Sequence, residues 1–340
     1  MTLRPRSLLK YVLTALLTIG LLYFAFRNTD FDKLYTSIRG ANYWWMFLMF
    51  ACMMMSHMFR ALRWRYLLNP MKPDIAFRNL FSAVMIGYFI NNILPRAGEL
   101  VRPYTIGKLE SIPKGAALGT IVVERIMDTF SFLMLIVIIP LVYGGPLVEA
   151  FPWLQRAGII ISLGTIGFLI VAIVLMVRRD WTGALLKRMT GFLSPSLAMK
   201  FDRVFNSFLD GFLFVKRPGS FLAILALSLL VWFLYIVMTY VAFFSFGLEN
   251  QLGFGAAIVV LAISSIGVAI PTPGATGGYH WFAAQTLVRL FYVSNEVALS
   301  YATVTHAVGF IGVTIVGLSY FLRDHINIKD AMDKPAEQTG

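Results

Sequence analysis

The sequence predicts an all-α integral membrane protein: six full spans plus two re-entrant helical hairpins in an inverted-topology repeat. Three observations predict it. Of 340 residues, 58% are hydrophobic and 14% charged, with a mean hydropathy of +0.74; a soluble domain carries roughly 25% charged residues and could not hide this much apolar surface in one core. Several apolar stretches reach the length of about 20 residues that a bilayer demands. Basic residues collect in alternate loops, as they do on the cytoplasmic side of membrane proteins. This composition excludes a soluble enzyme, a disordered chain and a nucleic-acid module. The net charge of +12 reads instead as cytoplasmic loops and contact with anionic lipid. A single cysteine, Cys52, excludes a disulfide framework, and His57, His280, His306 and His325 lie far apart without metal-ligand spacing. No cofactor or metal is expected.

Taken in order, the spans are 8–26, 43–59, 116–143, 157–177, 221–247 and 297–322. The first follows a basic start (Arg4, Arg6, Lys10) without a small-residue cleavage site, so it reads as a retained span. The segments 157–177, 221–247 and 297–322 contain no Asp, Glu, Lys or Arg. Three further stretches are shorter and broken: 80–95 ends in Asn91, Asn92 and Pro95; 254–271 runs into Pro271, Thr272, Pro273 and Gly274; 277–292 starts in glycines and carries Arg289. Proline and glycine at such ends stop helices, and broken backbone at membrane depth needs protein or a polar cavity around it.

Loop charge fixes the crossings. Residues 60–79 hold five basic residues (Arg60, Arg63, Arg65, Lys72, Arg78) against Asp74, and 178–220 hold eight against three acidic. These segments and the N-terminus are expected in the cytoplasm, while 27–42, 144–156 and 248–253 are expected outside. The segment 80–110 must then enter and leave from inside, and 254–292 from outside. Two units of opposite topology follow: 43–143 with hairpin 80–110, and 221–322 with hairpin 254–292. The linker 178–220, amphipathic over 183–215, lies at the inner surface, and the tail 323–340 is cytoplasmic. Inverted repeats with broken helices meeting near mid-membrane are the architecture of many transporters.

Charge concentrates in the first unit. From 80 to 128 there are nine formal charges, whereas 254–292 holds only Arg289; ionisable residues at membrane depth mark functional sites by default. In the first hairpin, Pro95 and Gly98 break the helix, and the second arm would offer backbone N–H groups and a positive dipole end to an anion. Asn91 and Asn92 precede that break and are expected to line the substrate site. Arg96 and Arg102 suit a phosphate held by charge-assisted bonds. Glu99 suits orienting one arginine or binding an amine or sugar hydroxyl. Alternatively, these residues pair with each other in an interfacial loop. Glu124 and Asp128, one turn apart on one face with Arg125 beside them, suit partners for Arg96 or Arg102, a proton-coupled carboxylate, or a helix end favoured by the dipole.

In the second hairpin, Thr272, Gly274 and Thr276 form a non-helical turn whose free N–H groups suit a polar headgroup. His280 follows, as a phosphate donor, a group titrating near neutral pH, or a structural residue. His306 reads as packing between helices and His57 as interfacial. Trp44, Trp45 and Met53–Met55 read as an aromatic belt and lipid-facing packing.

The run Gly87-Tyr88-Phe89-Ile90-Asn91-Asn92-Ile93-Leu94-Pro95-Arg96-Ala97-Gly98-Glu99-Leu100-Val101-Arg102, followed by Val123-Glu124-Arg125-Ile126-Met127-Asp128 and later by Ile270-Pro271-Thr272-Pro273-Gly274-Ala275-Thr276-Gly277-Gly278, resembles the lysylphosphatidylglycerol synthase transmembrane family. That family includes the flippase half of the multiple peptide resistance factor and stand-alone integral membrane proteins. The chain departs from the family pattern after the glycines, where Tyr279 and His280 replace an acidic residue. The resemblance implies a multi-pass lipid flippase of the bacterial inner (cytoplasmic) membrane. It would move an anionic phospholipid, glycolipid or polyprenyl-phosphate lipid by alternating access. The aminoacyl-transferase domain is not expected in 323–340, so the protein is expected not to be an enzyme. Membrane lipids with anionic headgroups are the expected partners, with a lipid-modifying synthase or glycosyltransferase, and a homo-oligomer, as further candidates. No nucleic acid is expected. No phosphate-binding glycine loop for a nucleotide is present. The alternatives are an ion-coupled transporter of a small soluble anion and a membrane scaffold for a lipid-modifying synthase.

Overall fold

The computed structural model describes residues 5–145, 147–153, scattered positions within 155–174, residues 206, 207, 210 and 211, and 218–327. The expected amphipathic stretch 183–215 (apart from those four positions), much of span 157–177 and the tail beyond 327 lie outside the described residues. Among the described residues the chain is helical without strands.

The first helices are α1 (Pro5–Phe26) and α2 (Phe31–Gly40). They bend by 89° across 27–30, because Asp30 caps α2 by accepting from the Asp32 and Lys33 N–H groups. The expected span 8–26 is therefore the first limb of a bent pair. Next comes α3 (Tyr43–Leu68), capped by Asn42, whose Oδ1 accepts from Trp44 N–H at 3.1 Å. It runs past the expected end at 59 to the Asn69-Pro70 stop, so Arg60 and Arg63, expected in a solvated loop, are helical and buried.

After it come α4 (Phe77–Ile93), α5 (Gly98–Glu110), α6 (Lys114–Val142) and the short α7 (Leu147–Ala150). The second half holds α8 (Pro218–Phe243), α9 (Phe254–Ala269), α10 (Gly278–Phe291) and α11 (Asn295–Arg323). Among the described residues four helices are long and apolar enough to cross a membrane, or five if the bent pair is one span. Their outward faces remain apolar, as at Leu141, Leu229 and Ile315, which in water would be an aggregation surface.

The two halves share a pattern. Helices α3 to α6 have 26, 17, 13 and 29 residues, and α8 to α11 have 26, 16, 14 and 29. Both α4 and α9 stop at the residue before a proline: Leu94 and Ile270 are extended, as the proline ring requires. In each half the two short helices cross at a glycine pair, Gly87 with Gly98 and Gly267 with Gly278, at the same spacing along the chain. A methyl group on Gly98, Gly267 or Gly278 would overlap the backbone of its partner, and one on Gly87 would overlap the Arg102 side chain.

Candidate functional site

The break between α4 and α5 spans 94–97. Arg96 has a left-handed backbone (φ 62°), a conformation costing an ordinary side chain roughly 1–2 kcal/mol and found where geometry serves a site. Its exposed guanidinium donates to the Ala269 carbonyl at the end of α9 at 2.7 Å. Asn92 donates to the Phe310 carbonyl and the Thr314 hydroxyl. The two breaks are therefore in contact.

The leading amides of α5, expected to be open, are occupied. Gly98 N–H donates to Asn91 Oδ1 at 2.8 Å, and the next two donate to the Arg96 and Ala97 carbonyls. Asn91 is a cap, and anion affinity at this break falls to side chains.

Below the break lies a buried ionic lattice. Glu124, fully buried, sits about three turns into α6, roughly 15 Å from its start, and not at the opening of the span. It accepts from Arg60 Nη1 at 2.5 Å and Arg102 Nη2 at 2.9 Å, with Arg63 Nη2 at 3.2 Å. Asp128, one turn on, binds Arg60 and Arg63 at 2.8 and 2.9 Å. Helix α8 contributes the Ser228 hydroxyl to Arg63 and the Tyr235 hydroxyl to Arg60. Arg102 also stacks on the Trp64 ring at 4.4 Å, and its stem passes where Gly87 has no side chain. Charges this deep are tolerated because each is paired and hydrogen-bonded. Arg102, expected at a phosphate, is thus committed to Glu124.

Beside the lattice, Glu99 and Arg125 face each other at 3.3 Å while both remain partly exposed. Together with Arg96 they edge a groove of about 360 Å³ whose remaining wall is apolar, including Leu100, Leu118, Ile121 and Ile126.

The second turn is gripped by two histidines. Gly277 N–H donates to His280 Nδ1 at 3.3 Å, and His306 Nε2 donates to the Gly274 carbonyl at 2.8 Å. Between the grips, Gly274, Ala275 and Gly277 are left-handed. Thr276 is held within the turn by its N–H to the Pro273 carbonyl, and Thr272 is buried with its hydroxyl unpartnered. Neither Thr276 nor His280 joins the arginine groove.

Sequence reasoning missed Arg60, Arg63, Tyr88 and Tyr235. The signal for the arginines was present: no breaker precedes Asn69-Pro70, and His57, Arg60 and Trp64 recur at helical spacing.

The family model described as "Lysylphosphatidylglycerol synthase TM region" matches residues 8–317. The chain belongs to this family. Within reach of the lysylphosphatidylglycerol synthase TM family, it is similar to the UPF0104 membrane protein MJ1595 of Methanocaldococcus jannaschii, with 27% identity over 303 residues, 84% of this chain and 86% of that protein. It is also similar to a UPF0104 membrane protein of Methanothermobacter thermautotrophicus, with 26% identity over 275 residues, 76% and 79% of the two chains. No solved structure matches. Family membership and the apolar helices make this a multi-pass membrane protein of the lysylphosphatidylglycerol synthase TM family.

Proposed function

We propose that the protein is a lipid translocase of the cell membrane that moves an anionic lipid between leaflets. The observation that carries this reading is the amphipathic groove at the first break. Arg96 and Arg125 supply positive charge at its edge, and Leu100, Leu118 and Ile121 supply an apolar wall. A phosphate with attached acyl chains fits both parts; a small soluble anion has no use for the wall.

Under this reading, α4–α5 and α9–α10 are re-entrant hairpins entering from opposite faces, and α3–α6 and α8–α11 are inverted repeats. The matched helix lengths, the paired prolines and the repeated glycine crossings support that arrangement. Broken helices at a repeat interface are where transporters hold substrate. The buried lattice is then the rigid floor of the site, and Glu99 competes with the phosphate for Arg125. Both termini are cytoplasmic in this arrangement, a reading that loop charge supports. Membrane lipids are the partners; a lipid-modifying synthase beside the inner surface would supply or consume them.

The test is leaflet exchange of a fluorescent phosphatidylglycerol in proteoliposomes. Wild-type protein should accelerate exchange, and Arg96→Ala should lower the rate at least about tenfold, the worth of one charge-assisted bond, without loss of thermal stability. Equal rates for the two proteins would remove the groove from the mechanism.

A further inference from the structure

Behind the first break, and separated from the arginine groove by the end of α9, lies a second cavity of about 280 Å³. Val268 lines it, while the next residue, Ala269, holds Arg96. Its walls come from α3, α4, α8, α10, α11 and the second turn. Among the described residues no carboxylate, guanidinium or ammonium lines it. The adjacent charge, Arg60, is spent on Glu124, Asp128 and Tyr235.

The polar groups that do line it form a mixed set. His57 is buried with Nδ1 unpartnered. The Tyr88 hydroxyl makes no hydrogen bond among the described residues. Tyr235 accepts from Arg60 and so keeps its own proton to donate. A carbonyl only accepts, so His306 Nε2 must carry the proton it gives to Gly274; in the neutral ring Nδ1 is then an acceptor. Asn92 spends its amide protons on Phe310 and Thr314, which leaves its oxygen as an acceptor. Donors and acceptors thus both line an uncharged space, together with Tyr279, Tyr301 and Phe310.

An ammonium only donates and a phosphate only accepts, and either would enter without a counter-charge at a cost of several kcal/mol. A hydroxyl both donates and accepts. The volume is near the low end for a ligand site, suited to a small polyol and too small for a whole lipid. We propose that this cavity binds the uncharged, polyhydroxyl part of a lipid headgroup. The proposal rests on the lipid reading above and narrows its substrate class.

The experiment is native mass spectrometry of the full chain in detergent with equimolar phosphatidylglycerol, phosphatidic acid and lysyl-phosphatidylglycerol. The first carries a free polyol, the second carries none, and the third adds an ammonium. Wild type should retain phosphatidylglycerol about tenfold over either of the others, the worth of one or two net hydrogen bonds. Gly309 lines the cavity, and a methyl group there meets Met53 Sδ at an ordinary 3.6 Å. Gly309→Ala should keep the preference, while Gly309→Leu, which fills the space, should erase it. Tyr88→Phe should lower it about three- to tenfold. Equal retention of the three lipids by wild type, a preference for the cationic lipid, or a preference that survives Gly309→Leu would overturn the proposal. If wild type retains none of the lipids, the lipid reading itself falls. Arg96→Ala, by contrast, should lower retention of the anionic lipids alike and leave their order unchanged.

Discussion

Arg102 on α5 and Glu124 on α6 meet at 2.9 Å with side chains only 4% and 0% exposed, and the Arg102 stem crosses the bare face of Gly87 to get there. The pair ties the second arm of the first hairpin to a long helix. Glu124 serves three guanidiniums, whereas Arg102 serves one carboxylate. Glu124→Gln should therefore destabilise more than Arg102→Met. The first leaves several buried cations under-compensated and should cost about 3–5 kcal/mol; the second leaves Glu124 with Arg60 and Arg63. Thermal unfolding in detergent checks the ranking, and an equal or reversed order would mean that the lattice does not share its charge through Glu124.

The glycine crossings make a second expectation. Gly98→Ala and Gly278→Ala each put a methyl group into the opposing backbone, and overpacking of this kind costs about 1–3 kcal/mol or more. Gly309→Ala, whose methyl group makes an ordinary contact with Met53 Sδ, should instead be neutral or slightly stabilising. Unfolding midpoints of the three variants, compared with wild type, decide it.

The C-terminal end of α11 gives a pH expectation. Burial opposes ionisation of Asp324, but its bonds from Arg323 and the Ser82 hydroxyl prevail and hold its carboxyl below the ordinary value of 3.8. Because the folded value lies below the unfolded one, its stabilisation is fully present above about 3.8 and is lost as pH falls through the folded value. Lys108 adds bonds to the Asp324 and His325 carbonyls. Asp324→Asn should lower the unfolding midpoint at pH 7 and flatten its acid dependence. Parallel curves for variant and wild type would show that this carboxylate carries none of it.

Much of this was legible in the sequence because proline, glycine and apolar length act locally. Pro95 and Pro271 set the helix stops within a residue or two, and apolar length marked out α3, α6, α8 and α11. The carboxylates Glu124 and Asp128 stood out by their i,i+4 spacing. Their partners did not, because Arg60 and Arg63 sit in a stretch whose charge alone looks like a cytoplasmic loop; only the tertiary fold turns that face inward against α6 and α8. For the same reason Arg102 read as a ligand for phosphate when the fold gives it a carboxylate. Asn91 read as a polar lining residue, and the tight turn made it the cap of α5.

The Arg96–Ala269 bond brings the two breaks together, and in the proposed re-entrant arrangement they meet inside the bilayer. Spin labels at Ala97 and Ala275, in protein with Cys52 replaced by serine and reconstituted in nanodiscs, report both depth and separation. The account predicts that both labels lie at similar depth within the hydrocarbon region, close to one another, and still accessible to a polar quencher. Labels found at opposite membrane surfaces, or both in bulk solvent, would contradict it.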